Sequence, residues 1–322
     1  MSRSNPHHVL PHAEMVFDAV RSPSGAGVSA VAASWCRSVL HHGLDPETGA
    51  RRRRVDARLL ADRMGEHAAL LAVAGPVLDQ MFRSVGRSGC GVILSDRHGM
   101  VLERRVGEAD AQTFTSVGLV EGGLWSEAEE GTNGIGTCLV EARPIVIHRD
   151  QHFASRNIGI SCMDAPVHDP HGKLIAALDV SSCRDDHGSA MSEMIGALVR
   201  DAARRIERDY FCRHFEAERI IFLADDATTG TALLAVDRDG LVVGASRAAQ
   251  LQLGLDSARL SDPCPLDQLL GTDAAPSFEG AERSVLRQAL ARAGGNASQA
   301  ARLLGIGRAT LYRRMSRAGL KG

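Results

Sequence analysis

The stretch that most constrains this chain is Asn296 to Gly319, NASQAARLLGIGRATLYRRMSRAG. A short helix is expected over Ala297–Leu304, stopped at Gly305, because only glycine enters a left-handed position after a helix without a Cβ penalty. Asn296 suits the N-cap, since its side-chain oxygen can accept from the free amides of the first turn. A second helix is expected from about Gly307 to Ala318. Two helices joined by a short turn that contains Gly are the sequence form of a helix-turn-helix. Ala300 and Ala301 are small where the second helix must cross the first.

Successive residues turn by roughly 100° in a helix, so Leu311, Met315 and Ala318 share one stripe, with Tyr312 at its edge. Ala309, Thr310, Arg313 and Arg317 fall opposite, with Arg314 on the flank and Arg308 at the N-terminus. One face packs and the other is cationic, which suits the major groove: Arg forks onto guanine while neighbouring cations hold phosphates. A solvated arginine-rich surface helix is the other outcome of such a run. The agreement of turn, stripe and charge favours the groove. The candidate DNA contacts are Asn296, Ser298, Arg308, Ala309, Thr310, Arg313, Arg314 and Arg317.

The residues Gly295-Asn296, Ala300-Ala301, Leu304-Gly305-Ile306, Arg308, Thr310-Leu311 and Arg313 make the segment resemble the Fis-type DNA-binding domain of bacterial regulators. The resemblance implies double-stranded DNA as partner and a preceding helix as the dimer interface. Val285, Leu286, Ala289, Leu290 and Ala293 supply a 3.6-period stripe for that helix. Members of the family usually carry a basic residue where Tyr312 stands, so one phosphate contact is expected to be missing.

Charge separates this tail from the rest. From Ser277 to Gly322 nine Lys or Arg face two Asp or Glu, a net +7 in a chain of net −2, which leaves −9 for the body. A basic tail on an acidic body fits a nucleic-acid reader attached to something else. With 322 residues and 44% apolar content there is room for two or three domains with real cores. No apolar run approaches the roughly 20 residues of a membrane span. The N-terminus, with His7 and His8 but no apolar stretch, does not read as a signal peptide. Seven scattered cysteines, none spaced C-x-x-C, read as reduced, mostly structural thiols of a cytoplasmic protein.

Residues 1–27 read as loose apart from a turn of helix near Glu14–Val20, and 28–88 as helical: one helix over 28–43, then a short and a long one over 56–86. The basic string Arg51–Arg54 reads as solvated loop, with phosphate contact as the other option. From Gly89 the period changes. Hairpins are expected around Asp96–Gly99 and Asp169–Gly172, with helices near Ala109–Val117 and from Thr132 or Asn133 to about Ala142. A strand spans Ile145–His148, and a long helix roughly His187–Phe215 closes the unit. Residues 89–215 thus form an α+β domain with an antiparallel sheet of five or six strands flanked by helices.

Trp125-Ser126-Glu127, Glu130-Gly131-Thr132-Asn133-Gly134-Ile135-Gly136-Thr137, Arg143-Pro144, His148, His152-Phe153, Cys162, Ala165-Pro166 and Leu178-Asp179 resemble the GAF sensor of regulators related to the acetoin-catabolism activators. The strings SWCRS (34–38) and HGLDP (42–46) resemble the N-terminal signature of the same group. The candidate effector-binding residues are Trp125, Thr132, Asn133, His148, His152, Phe153, Cys162 and Asp164. The glycine-rich run Gly131–Thr137 lacks G-x-G-x-x-G spacing and a Lys, which favours close helix packing over a phosphate cradle. His148, Asp150 and His152 have no helical ligand spacing, and no metal or cofactor is assigned. Cys162 reads as core rather than nucleophile. Segments 125–167 hold no basic cluster, so a small, mostly neutral metabolite is the expected effector.

Residues 216–276 read as a PAS-like remnant or linker, with a hairpin over Ala232–Ser246 and a helix Arg247–Leu253; Pro276 marks the boundary to the all-α reader at 277–322. Relatives of the acetoin type usually hold an ATPase domain between sensor and reader. This sequence has no G-x-x-x-x-G-K-[ST]; His171-Gly172-Lys173 lacks the first Gly, since Val167 stands there. The expected function is a dimeric, ligand-responsive, sequence-specific DNA-binding transcription regulator without its own ATPase, with RNA polymerase or a full-length relative as further partners. The alternatives are a redox enzyme of the methionine sulfoxide reductase kind and a nucleoid-architecture protein.

Overall fold

The computed structural model describes residues 11–22, 27, 29–48, 52–185, 188–226, 229–255, 264–270, 282–283, 285–286, 289–290 and 293–320. The start read as loose over 1–27 holds a helix, His12–Arg21, that buries Ala13 and Val16; residues 1–10, Arg51 and the Pro276 boundary lie outside the described residues. By internal contacts the chain divides into two units, Met1–Arg238 with Val243–Ser261, and Asp239–Val242 with Asp262–Gly322.

The first unit opens with four helices, α1 (His12–Arg21), α2 (Ala30–Leu40), α3 (Ala57–Glu66) and α4 (Ala68–Val85). Ser29 and Asp56 start α2 and α3 by accepting from Ala32 N at 3.1 Å and Leu59 N at 2.8 Å. The sheet then begins with β1 (Cys90–Asp96) and β2 (Val101–Arg105), followed by α5 (Glu108–Ser116), α6 (Glu127–Glu130) and α7 (Gly134–Glu141). Strands β3 (Ile145–His148), β4 (Ser161–His168) and β5 (Leu174–Ser182) complete it, and α8 (Ser189–His214) crosses behind. The strand order is β2-β1-β5-β4-β3, antiparallel at every pairing, as the alternation of hairpins and helices predicts.

Both hairpins are nucleated by the same local chemistry. Asp96 Oδ1 accepts from the amides of His98 and Met100, and Asp169 Oδ1 from those of His171 and Lys173, all at 2.8–2.9 Å. Gly99 and Gly172 supply the positive φ that each turn needs.

One sheet face packs on α4 and α8 through Leu70, Val77, Leu78, Met81, Ile195, Val199 and Ile206. The sequence places α4 in a separate helical region, yet it lies in the core of the sheet domain. Ala68–Ser88 is also long and apolar enough, by composition, to cross a membrane. Its buried stripe explains that composition: each large apolar side chain removed from water contributes about 1.5–3 kcal/mol. The other face carries Ile93, Phe114, Trp125, Ile135, Ile147 and Cys162.

Beyond α8 come β6 (Arg219–Asp226), β7 (Gly230–Val236), β8 (Leu241–Ala245) and α9 (Arg247–Leu253). Strand β6, antiparallel to β7, goes unread in the sequence, where RIIFLADD lacks clean alternation and follows a long helix directly. In the second unit β9 (Cys264–Pro265) pairs with Leu241 and Val242, followed by α10 (Leu266–Leu269), α11 (Ala297–Leu303) and α12 (Arg308–Arg317).

Candidate functional site

Helices α11 and α12 are the helix-turn-helix expected from the sequence. Asn296 Oδ1 accepts from Ser298 N at 3.0 Å and Gln299 N at 3.2 Å, capping α11, and Gly305 turns the chain at φ 63°. Leu311 and Met315 are buried against Ala300, Ala301, Leu286, Ala289 and Ala293. The stripe assigned to a dimer contact therefore closes this small core within the chain; of its five residues Val285 is 51% exposed and Leu290 partly buried. Ser284, Arg287, Gln288, Ala291 and Arg292 lie outside the described residues.

The outward face carries the predicted cations in two different settings. Arg308, Ala309 and Arg313 are exposed and Thr310 is half-buried. The Arg308 guanidinium lies 5.6 Å from the centre of the Tyr312 ring, a cation–π contact. Arg314 and Arg317, expected on phosphates, both reach Glu282, at 3.3 and 3.0 Å. Arg283 donates to Ala318 O at 2.6 Å, satisfying the end of α12.

In the sheet domain the motif strings meet one another. Ser34 donates to Glu127 at 2.5 Å and receives the Thr132 hydroxyl at 2.7 Å, while Arg37 forks onto Glu127 with two 2.8 Å bonds. Asn133 caps α7 through Gly136 N at 2.8 Å. A Cβ at Gly134 would fall 2.0 Å from Asp164 Oδ2 and 2.4 Å from Cys162 Cβ, and one on Gly131 would strike the Phe153 ring. The glycine-rich run is thus a close-packing device. Phe153 itself packs with Val16 and Trp35.

His152, Cys162, Asp164, Asp179 and Ser181 form a fully buried polar cluster beneath it. His152 Nε2 lies 3.4 Å from Cys162 Sγ, and Nδ1 lies 2.9 Å from Arg149 O. Burial pulls the His152 pKa down to about 4 and pushes the Cys162 thiol up, helped by the charges of Asp179 and Asp164. A neutral imidazole beside a neutral thiol is a poor nucleophile pair. Asp164 and Asp179 stand opposite each other on β4 and β5. Burial raises both carboxyls, Asp179 to about 7 and Asp164 well above its usual range, where the charge of Asp179 adds to the effect. Asp164 finds no hydroxyl or amide donor. A proton held on Asp164 and shared with Asp179 satisfies the pair, and the Ser181 hydroxyl, 2.7 Å from Asp179 Oδ2, completes it. His148 is engaged separately, 2.9 Å from Ser161 Oγ.

Of the eight effector candidates, Trp125 alone lines a described cavity, one of about 220 Å³. Its other walls include Arg52, Arg53 and Arg54; Arg53 and Arg54 keep exposed side chains, as a solvated string does, while Arg52 is partly buried and the backbone is tied to the domain. Two-residue bridging fixes it there: Arg54 pairs with Gly123, and Val55 N donates to Gly122 O at 2.9 Å. The Gly122-Gly123-Leu124-Trp125 run was the one sequence signal for so tight a loop.

Residues 69–207 match the GAF domain, and residues 277–317 match the bacterial regulatory protein, Fis family. The GAF match begins in α4, in keeping with the packing of that helix. An acetoin catabolism regulatory protein of Cupriavidus necator is 31% identical over 230 residues, covering 68% of this chain and 34% of that protein. The acetoin dehydrogenase operon transcriptional activator AcoR of Bacillus subtilis is 28% identical over 116 residues, 36% of this chain and 19% of its own. This chain thus spans about a third or less of the length of these relatives. Among solved structures the E. coli DhaR(N)–DhaL complex shares the fold, with a TM-score of 0.51 at 18% identity over 74% of this chain and 80% of that one. The chain joins a GAF domain to a Fis-family helix-turn-helix and is related by sequence to acetoin-operon transcriptional activators.

Proposed function

We propose that this protein is a ligand-responsive, sequence-specific DNA-binding transcription regulator that works as a homodimer in the cytoplasm, without an ATPase of its own. The observation that carries the reading is α12, anchored by Leu311 and Met315 with Arg308 and Arg313 left on its outer face. Such a helix enters a major groove, and two copies related by a two-fold axis read half-sites about one helical turn apart. The GAF domain supplies the place for a signal. Residues 208–276, between the two matched regions, contain no nucleotide-binding P-loop sequence, so the reading assigns recruitment or blocking of polymerase rather than its remodelling.

Selection of bound sequences from random DNA, followed by anisotropy on the selected site, tests this reading. Arg313→Ala is expected to lose about 1–3 kcal/mol of discrimination between selected and random DNA. Retained discrimination would move base reading off this face. Failure to enrich any sequence would overturn the regulator reading.

A further inference from the structure

The cavity between Arg52–Val55 and Gly118–Trp125 has walls that are fixed from several sides. Leu124 N donates to Arg53 O at 3.1 Å, and Val101 N to Gly123 O at 2.9 Å, so β2 holds one wall and that wall holds the next. Gly118, at φ 79°, lets the chain pass beside the Arg52 stem, 3.1 Å from where a Cβ would sit. Val117, Val120, Leu124 and Trp125 give the lining its apolar part. The Trp125 indole N–H is engaged by Gly118 O at 3.0 Å, so its ring adds only apolar surface.

Arg52 is out of balance with this lining. Its guanidinium is half-buried, and burial depresses its pKa, with partial relief from the charge of Glu130. It donates to two neutral acceptors, Ser116 O and, at 3.1 Å, Asn157 Oδ1, while its Nε is buried without a partner. The carboxylates nearby are engaged by other arginines, Glu129 by Arg53 and Glu130 by Arg156, each at 2.7 Å. A half-buried cation whose one nearby counter-charge, Glu130, is shared with Arg156 is costly, and an anion entering the cavity lowers that cost.

We propose that this cavity binds a small organic monocarboxylate, its head on the Arg52 guanidinium and its short apolar body against Trp125, Val120 and Leu124. A planar carboxylate matches the guanidinium edge. The volume, about 220 Å³, exceeds the roughly 150 Å³ of a cavity that holds benzene, so an acid of a few carbons fits. The apolar part of the lining favours a short-chain acid over phosphate, which has no apolar body to bury there. That the bound acid is the regulatory signal rests on the sensor reading above; the binding itself does not.

The test is nitrogen-15 indole NMR on the full chain, whose two tryptophans give two resonances, with Trp35→Phe to assign them. The titrants are sodium propionate, its neutral isostere propionamide, acetoin and inorganic phosphate. Propionate is expected to move the Trp125 resonance saturably and leave that of Trp35 in place, at least tenfold more tightly than the other three. Arg52→Gln is expected to weaken propionate at least tenfold and Arg52→Lys less. An unmoved Trp125 resonance, or propionamide or phosphate binding as well as propionate, overturns the proposal, and so does a folded Arg52→Gln that binds like the wild type. The propionate–propionamide comparison needs no variant, so it decides even if Arg52→Gln fails to fold. No DNA is present, so this failure and a failure of sequence-specific DNA binding are separate results.

Discussion

The helix-turn-helix and the GAF domain present their chemistry in opposite ways. In the former, the anchoring residues Leu311 and Met315 and the outward Arg308 and Arg313 sit within eight positions of one another on a single helix. In the GAF domain, most residues singled out as ligand contacts are engaged by other parts of the protein: Thr132 by Ser34, Asn133 by the α7 amides, His148 by Ser161. A surface that reads DNA has to be left exposed, so a helical wheel finds it. A domain that encloses a small molecule uses many of the same polar residue types to close its own core, and a linear pattern does not separate the two uses.

The contrast breaks most visibly if the small core around α12 is opened. Leu311→Ala is expected to cost about 2–5 kcal/mol in a core of few residues, enough to abolish DNA binding. Calorimetry should show the loss of one transition while the GAF transition stays in place. A shift of both together would mean the two units fold as one.

A smaller effect sharpens the other side of the comparison. Asp164 and Asp179 bind their proton more tightly in the folded protein than in the unfolded chain, so the stability they contribute is complete below pH 3.8; that of Asp179 is lost as pH rises through about 7, and that of Asp164 as pH rises through its own raised pKa. His152 runs the other way, its contribution present above pH 6.5 and lost as pH falls through about 4. The GAF domain is expected to be most stable between these limits. Asp164→Asn keeps a donor toward Asp179 without the second charge, and should raise stability at pH 8 by about 1–3 kcal/mol with little change at pH 4. An equal effect at both pH values would remove the shared-proton account.

The smallest effect concerns Glu282, which holds Arg314 and Arg317. Glu282→Gln should cost under about 1 kcal/mol of stability, because these arginines are half or more exposed. Freed, they should tighten binding to random DNA several-fold and steepen its salt dependence by about one to two units of log–log slope. An unchanged slope would show that neither arginine faces phosphate.

The sequence alone determined whatever repeats over short distances. The two Asp-x-His-Gly turns, the cap at Asn296, a cap at Thr132 or Asn133, the strand Ile145–His148 and both reader helices follow from hydrogen bonds and periodicities spanning a handful of residues, and each was legible. The GAF and Fis-type resemblances rested on equally compact strings. Tertiary structure decided what depends on distant residues meeting. It drew α4 into the sheet core, turned Leu286, Ala289 and Ala293 inward, and set Asp164 against Asp179. It also placed Arg52 beside Trp125, 73 positions along the chain, putting a half-buried cation where segments 125–167 alone promised a neutral pocket. The physical reason is that burial and counter-charge are properties of a neighbourhood, and a neighbourhood exists only once the chain has closed on itself.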